Sequence, residues 1–386
     1  MSRVYLDHNA TTPVRPEVLE AMLPYFSDQY GNASSVHAFG QDAKGAMEEA
    51  RAQVAKFLNA APGEIVFTGS GTESDNMGVL GAARMLAAKG RHVVVSAIEH
   101  EAVRGAADAL EAEGFTVTRV PADATGVVAA AAVEQALRPA TTLVSVMAAN
   151  NETGVIQPTA EIGAIAAARG VAFHVDAVQA AGKIPIDVQA WKATLATIAG
   201  HKFYGPKGVG ALYVKRGFRT SPLYFGGEHE RGRRAGTENV PAIVGLGAVA
   251  ELAQAELRDK PAAIAALRDR MEEGLLASVP QVVRHGTGAP RVCNTSHLSF
   301  VGAEGEHLIL SLDMKGIACS AGSACKAGSA HASHVLLGMG IPANIAQSAV
   351  RFSLGRSTTT ADIDRLLAVV PDVVKKLRAG SPSLAS

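Results

Sequence analysis

The chain has 386 residues, 48% hydrophobic and 19% charged, which is enough apolar material for more than one buried core and makes two domains the first expectation. Lys+Arg and Asp+Glu both number 36, so the formal net charge is zero, and without a basic stripe the composition argues against nucleic-acid binding. The opening MSRVYLDHNATTP lacks the apolar stretch of a leader peptide and no apolar run approaches a membrane span, so the sequence predicts a cytoplasmic protein with no membrane partner.

Taken in chain order, residues 5–13 read as an extended entry ending at Pro13, and Pro16 opens a short helix with Val18, Leu19, Met22 and Leu23 at helical spacing. After a polar loop over 31–40, a helix over 41–58 places Ala43, Met47, Ala50, Val54, Phe57 and Leu58 on one face. Strands are predicted at 64–68, 92–96, 116–120, 142–147, 171–175, 193–198 and 210–214, with helices at 72–88, 100–113, 128–137 and 159–169 between the earlier ones. Such alternation needs crossover connections, so the fold class is α/β, with a mainly parallel seven-stranded sheet flanked by helices.

Beyond Thr237 the texture becomes helical, over 241–257 and, after a break at Pro261, over 262–277. The remainder predicts a strand at 295–300, a helix at 306–312, a small-residue tract at 320–330, a helix around 342–349 and a strand at 350–353. In the last helix Ile363, Leu366, Leu367, Val370, Val373, Val374 and Leu377 keep one face despite Pro371. These patterns divide the chain into a large domain, 1–257, and a smaller α+β domain, 258–386, with the N-terminal segment packing on the smaller one.

Polar residues with chemical potential gather at predicted strand ends. A strand ending at Ala199 runs into Gly200, His201 and Lys202, and a lysine there is partly desolvated, which favours its nucleophilic amine. IVFTGSGTESDN joins a strand through Gly69 and Gly71 to a helix whose N-terminus offers free N–H groups for a phosphate, while Ser70 with Glu73 and Thr72 with Asp75 have capping-box spacing. It lacks both the G-x-G-x-x-G pattern and a Walker lysine, so a dinucleotide or nucleoside triphosphate is poorly supported. His100, Asn150 with Asn151, and Asp176 with Gln179 follow three other strands, and in open α/β sheets the ligand crevice lies at these ends. An amine, a carboxylate, an imidazole and a helix N-terminus together suit pyridoxal phosphate.

The ordered set GTESDN, IEHEAV, NNETG, HVDAVQAAGK, GHKFYGPKG and ERGRRAGTEN resembles the cysteine desulfurases of the class V aminotransferase group, and GRRAGTEN with GSAC is most like their nitrogen-fixation type. The resemblance covers essentially the whole chain and implies the pyridoxal-phosphate transferase fold of type I. It implies Lys202 as the lysine that captures the cofactor aldehyde, Asp176 as partner of the ring nitrogen, Gln179 as donor to the ring hydroxyl, and His100 stacked on the ring and assisting proton transfer. Gly71, Thr72, Gly200 and His201 would hold the cofactor, with Thr237 reaching over from the second subunit of a homodimer, and Asn151 and Arg351 would bind substrate. Arg351 also lies in the strand-like VRFSL, where a buried guanidinium calls for an anionic partner. Ala199 stands where many relatives carry a hydroxyl, which removes one phosphate hydrogen bond.

Three cysteines, Cys293, Cys319 and Cys325, are too few for a disulfide framework, and without a CxxC pair no metal site is expected. Cys325 sits in a tract of Ser, Ala and Gly with little bulk to pack, beside Lys326, which favours thiolate; Cys293 and Cys319 have strand-like flanks and read as structural. The resemblance implies conversion of L-cysteine to L-alanine, with Lys202 removing the α-proton and Cys325 taking the sulfur as a persulfide for an iron–sulfur scaffold. Alternatives are a selenocysteine lyase or class V transaminase on the same cofactor, and a non-catalytic sulfur-trafficking scaffold.

Overall fold

Apolar β-branched runs such as VVV in 93–95 and the fully buried LATIA of 195–199 belong to strands covered on both faces. In chain order the strands are β1 (Val4–Tyr5), β2 (Ile65–Thr68), β3 (His92–Ser96), β4 (Thr116–Val120), β5 (Thr141–Ser145), β6 (Ala172–Asp176), β7 (Leu195–Ala199), β8 (Gly210–Val214), β9 (Val282–Arg284), β10 (Thr295–Phe300), β11 (Ile317–Ala318) and β12 (Ala349–Ser353). They come from a computed structural model that describes residues 3–321 and 332–380, so Cys325 lies outside the described residues.

The seven-stranded sheet has the order β2-β8-β7-β6-β5-β3-β4. Strands β4, β3, β5, β6 and β7 are mutually parallel; β8 alone runs against them, and β2, antiparallel to β8 at the edge, runs in the same sense as the five. The carboxyl ends of β3, β5, β6 and β7 therefore share one rim, the usual ligand-binding edge of an open parallel sheet.

A second sheet, β12-β10-β9, is antiparallel and sets Arg351 opposite His297. Its core joins Leu298, Phe300 and Phe352 to Met271 and Leu275 of the Lys260–Ser278 helix and to Ile363, Leu366 and Val370 of the Thr360–Gly380 helix. The first residues belong to this core: β1 pairs in parallel with β11, and Leu6 is fully buried. From there the chain crosses to the large sheet, where the helix Ala38–Leu58 packs Phe57 face to face on Phe203, ring centroids 5.6 Å apart.

Two local expectations need correction. The stretch 72–88 is not one uniform helix: Gly71–Asn76 is α, Met77–Gly81 is a π turn, and Ala82–Leu86 is α again. Gly78 lies so close to the His174 ring that a Cβ there would meet Cδ2 at 2.6 Å, which places the irregular turn directly over a buried polar side chain. Around 342–349 only Ala343–Ala346 is helical, because Ala349 already pairs with Ser299 in the second sheet. A further short helix, His334–Gly338, is capped by the Ser333 hydroxyl. Pro261 does mark a break: Val240–Glu256 and Lys260–Ser278 meet at 77°, with the proline in the first turn of the second helix. No single helix among the described residues is long and apolar enough to cross a membrane.

The 215–239 segment is held to the sheet edge by a buried ion pair. Arg51 donates to both carboxylate oxygens of Glu230 at 2.8 and 2.7 Å, and Glu230 also accepts the Phe67 N–H at 2.9 Å. The two side chains are only 5% and 1% exposed. Removing one partner strands a buried charge, so Glu230→Ala is expected to cost about 3–5 kcal/mol. Urea denaturation checks this, and a midpoint equal to that of the unmutated protein would show that the pair contributes nothing net.

Candidate active site

The rim of the large sheet opens into a cleft of about 290 Å³ lined by Thr72, His100, Asn151, Asp176, Lys202 and Arg351, among others. Each arrives from a different element, which is why no local stretch of sequence contains the site.

Lys202 follows β7 at the end of the single turn Gly200–Lys202. Gly200 is buried, and a Cβ there would come within 2.9 Å of the Pro206 carbonyl, so it shapes the turn from behind and does not line the cleft. The Lys202 amine donates to the backbone carbonyls of Asn9 and Ala10, both at 2.8 Å. The N-terminal segment is itself pinned there, since Thr12 N–H donates to the His201 carbonyl at 2.9 Å and the Tyr204 N–H donates to the Thr12 hydroxyl at 2.7 Å.

Asp176 ends β6, fully enclosed, and accepts the Val178 N–H at 2.9 Å. Burial raises its pKa, against the lowering pull of His100 and Lys202. His100 caps the Glu101–Ala112 helix by accepting the Ala102 N–H at 3.1 Å on Nδ1, and burial lowers its pKa. Gln179 is oriented by two groups: its amide donates to the Asn9 carbonyl at 3.0 Å, and its oxygen accepts from the Lys183 amine at 2.8 Å. Lys183 is brought down to about 7 by burial.

At the other side of the cleft Ser70 caps the helix by accepting the Glu73 N–H at 3.1 Å, and Gly71 packs where a Cβ would press on Ala199 and Val178. Asp75 does not complete a capping box with Thr72; it turns inward and is buried. Ala199 lines the cleft with its methyl group alone. His201 meets the Thr11 hydroxyl at 3.2 Å through Nδ1, and burial lowers its pKa to about 4. Arg351 reaches in from β12, donating to the Asn151 carbonyl at 3.0 Å and to Asp7 at 2.8 Å. Asn151 Oδ1 is buried without a hydrogen-bond partner among the described residues. Thr237 lies outside this cleft, exposed beside an open hollow shared with Glu73, Tyr224 and Arg234.

Several residues of the site carry no strong motif. Asn9 is the hub of the N-terminal crossing, its side chain bonded to Thr295 at 2.8 Å, to Asn294 at 3.0 Å and to the Asn151 carbonyl at 3.2 Å. The small polar HNATT after a two-residue strand was the available signal. Glu99, next to His100, is fully buried and accepts the Met147 N–H at 2.9 Å and the Ser96 hydroxyl on one oxygen, while the other oxygen has no partner among the described residues.

Burial raises the Glu99 carboxyl from its ordinary 4.5 to about 8. Between those values the folded protein keeps a proton that the unfolded chain releases, so this residue's contribution to stability falls as pH rises through that window. At about 1.4 kcal/mol per pKa unit the effect reaches a few kcal/mol. Glu99→Gln should therefore lose less stability than the unmutated protein between about pH 5 and pH 8 in urea titrations; parallel losses would refute the assignment.

The aminotransferase class-V family model matches residues 4–366. A cysteine desulfurase IscS of Methanosarcina thermophila is 48% identical, over 98% of this chain and 94% of its own length. A solved structure of a NifS-like protein superposes with a TM-score of 0.91 at 38% identity, covering 97% of this chain and all of the other. SspA in complex with cysteine has a TM-score of 0.81 at 34% identity, over 91% of this chain and 98% of that one. With near-complete coverage on both sides, and a rim that assembles the same ordered motifs, the chain belongs to the class-V aminotransferase family and, within it, to the cysteine desulfurases.

Proposed function

We propose that this chain is a cysteine desulfurase that binds pyridoxal 5'-phosphate in the cleft at the sheet rim, converts L-cysteine to L-alanine, and passes the sulfur on for iron–sulfur cluster assembly. The carrying observation is the convergence of Lys202, Asp176, His100 and Arg351 on one cavity from four separate elements. The donor set fits the cofactor. Asp176 makes no ion pair among the described residues, leaving its charge for a ring nitrogen, and the orphaned Asn151 Oδ1 awaits a donor from a ligand. The helix beginning at Gly71, with Thr72 and His201, would seat the phosphate, and the Gln179 amide would meet the ring hydroxyl.

When bound, pyridoxal phosphate supplies an aldehyde for an amine and a ring that takes up electrons released at the substrate Cα. The protein residues do the rest. Arg351 would hold the substrate carboxylate through a charge-assisted fork, with Asn151 beside it. Lys202 would leave the Asn9 and Ala10 carbonyls to accept the α-proton, and His100 would shield the ring face and relay a proton. Cys325, outside the described residues, would attack the substrate sulfur as thiolate; the Cβ–S bond breaks, the sulfur stays on Cys325 as a persulfide, and the carbon skeleton regains protons as L-alanine. The relative solved with cysteine supports that substrate.

A homodimer is part of this reading. Phe225 is 87% exposed and Val36 93%, with Phe26 and Tyr30 also largely uncovered, more apolar surface than a lone chain of this size leaves to water without a reason. Thr237, on the same side as Phe225, would complete the partner's phosphate site. The smaller core, built mainly from Met271 to Val374 with Val4 and Leu6 added, supports domains 1–257 and 258–386 with the N-terminal segment on the smaller one, although Val335, Leu336 and Met339 pack into the larger core; the free Cys293 and Cys319 suit a reducing cytoplasm.

The test uses purified protein, pyridoxal phosphate and L-cysteine, with alanine and protein persulfide measured together. Lys202→Ala should reduce alanine formation about 10²–10⁴-fold. Cys325→Ser should keep the cofactor's visible absorbance and acquire no persulfide; equal persulfide labelling of Cys325→Ser and the unmutated protein would reject Cys325 as the acceptor.

A further inference from the structure

Besides Asp176 the cleft is lined by two other buried carboxyls, Glu152, which accepts the Ser333 hydroxyl, and Asp75. Asp75 is 2% exposed and Asp176 5%, and both line the same cavity. Asp75 Oδ1 has no hydrogen-bond partner among the described residues, and its nearest basic neighbour, His174 Nε2, stands at 3.6 Å. His174 is not a counter-ion. It is fully buried between strands, with Nδ1 engaged by the Ser145 hydroxyl at 2.8 Å and Nε2 by the Thr197 hydroxyl at 3.1 Å, and burial lowers its pKa to about 3.

Two carboxylates enclosed at one site, neither in an ion pair with a lysine or arginine among the described residues, cannot both ionise cheaply, so the pair retains a proton. The surroundings decide where it resides. Asp176 has a backbone N–H on its carboxylate and faces His100 and Lys202, both of which favour its charged form. Asp75 has only the Thr197 hydroxyl to favour ionisation, against burial and the charge of Asp176.

We infer that Asp75 is a positioning residue that holds the proton of a buried carboxyl pair, so that the pair's single negative charge lies on Asp176, where the cofactor's ring nitrogen would sit. This rests on the proposed role of Asp176. It also assigns the polar network under the cleft: Ser145, His174 and Thr197 keep the region below Asp75 hydrogen-bonded yet neutral. Glu99, held protonated by its own burial, adds no second charge at neutral pH.

Asp75→Asn tests this, since asparagine keeps the shape and removes the ionisable group. In cofactor-free protein at neutral pH, the infrared difference between the unmutated protein and Asp75→Asn should show the loss of one protonated-carboxyl C=O band, with Glu99 and Glu152 contributing equally to both. In cofactor-loaded protein, the pH midpoint of the visible absorbance should stay within about 0.3 unit in Asp75→Asn and move by more than about one unit in Asp176→Asn. An unchanged infrared spectrum, or a shift above about one unit in Asp75→Asn, would overturn the inference by placing the charge on Asp75. Asp75→Ser, read in the same way, serves if the asparagine variant does not fold. Failure of the unmutated protein to take up pyridoxal phosphate would instead defeat the proposed function, and the cofactor-free spectra would still decide the protonation of Asp75.

Discussion

The contact on which the rest of the structure depends is the pair of hydrogen bonds from the Lys202 amine to the carbonyls of Asn9 and Ala10. Those carbonyls belong to a segment that starts within the smaller sheet's core, where Leu6 is buried and Asp7 bridges to Ser353. The amine stands at the tip of β7 in the larger sheet. This side chain thus ties the N-terminal segment to the larger sheet, alongside the Arg351 and Asn9 bonds across the same junction, and it does so through backbone acceptors whose positions the flanking strands determine. Backbone carbonyls also have a chemical merit here. They hold the amine by dipoles without adding a charge, so it can be released to a ligand without leaving a buried carboxylate unpaired.

The same economy of charge governs the cavity. Its buried acids and bases are pushed toward their neutral forms: Glu99 upward to about 8, His174 downward to about 3 and His201 downward to about 4, with burial as the leading cause each time. Formal charge survives where it is matched, as in Arg351 with Asp7 and Arg51 with Glu230. In a low-dielectric cleft a few well-placed charges act strongly because so little else is ionised around them. Preorganisation extends outward, since Lys183 orients the Gln179 amide and Ser70 caps the helix beside the cleft.

Much of the scaffold was legible before any coordinates. β3, β4, β8 and β10 fall where alternation and β-branching placed them: β3 and β8 as runs buried on both faces, β4 as a partly exposed edge strand whose residues alternate. Lys202, Asp176, His100 and Asn151 were visible as polar residues after such runs. The failures have physical causes. The π turn at Met77–Gly81 comes from a close approach to His174, a residue nearly a hundred positions away, and Ala349 joined a strand because a partner strand was waiting for it.

By itself the sequence determined the α/β class, the order of the strands along the chain, and which residue types stand at their ends, because those depend on local periodicity and turn chemistry. Only the tertiary structure decided that the N-terminal segment crosses over to hold Lys202, that Asn9 is a hub, that Arg351 meets Asp7, and that Asp75 faces inward beside Asp176. These are matters of long-range contact and burial. A carboxyl or an amine has the same formula at the surface and in the interior, and its protonation, partners and chemistry are set by what the rest of the chain packs against it.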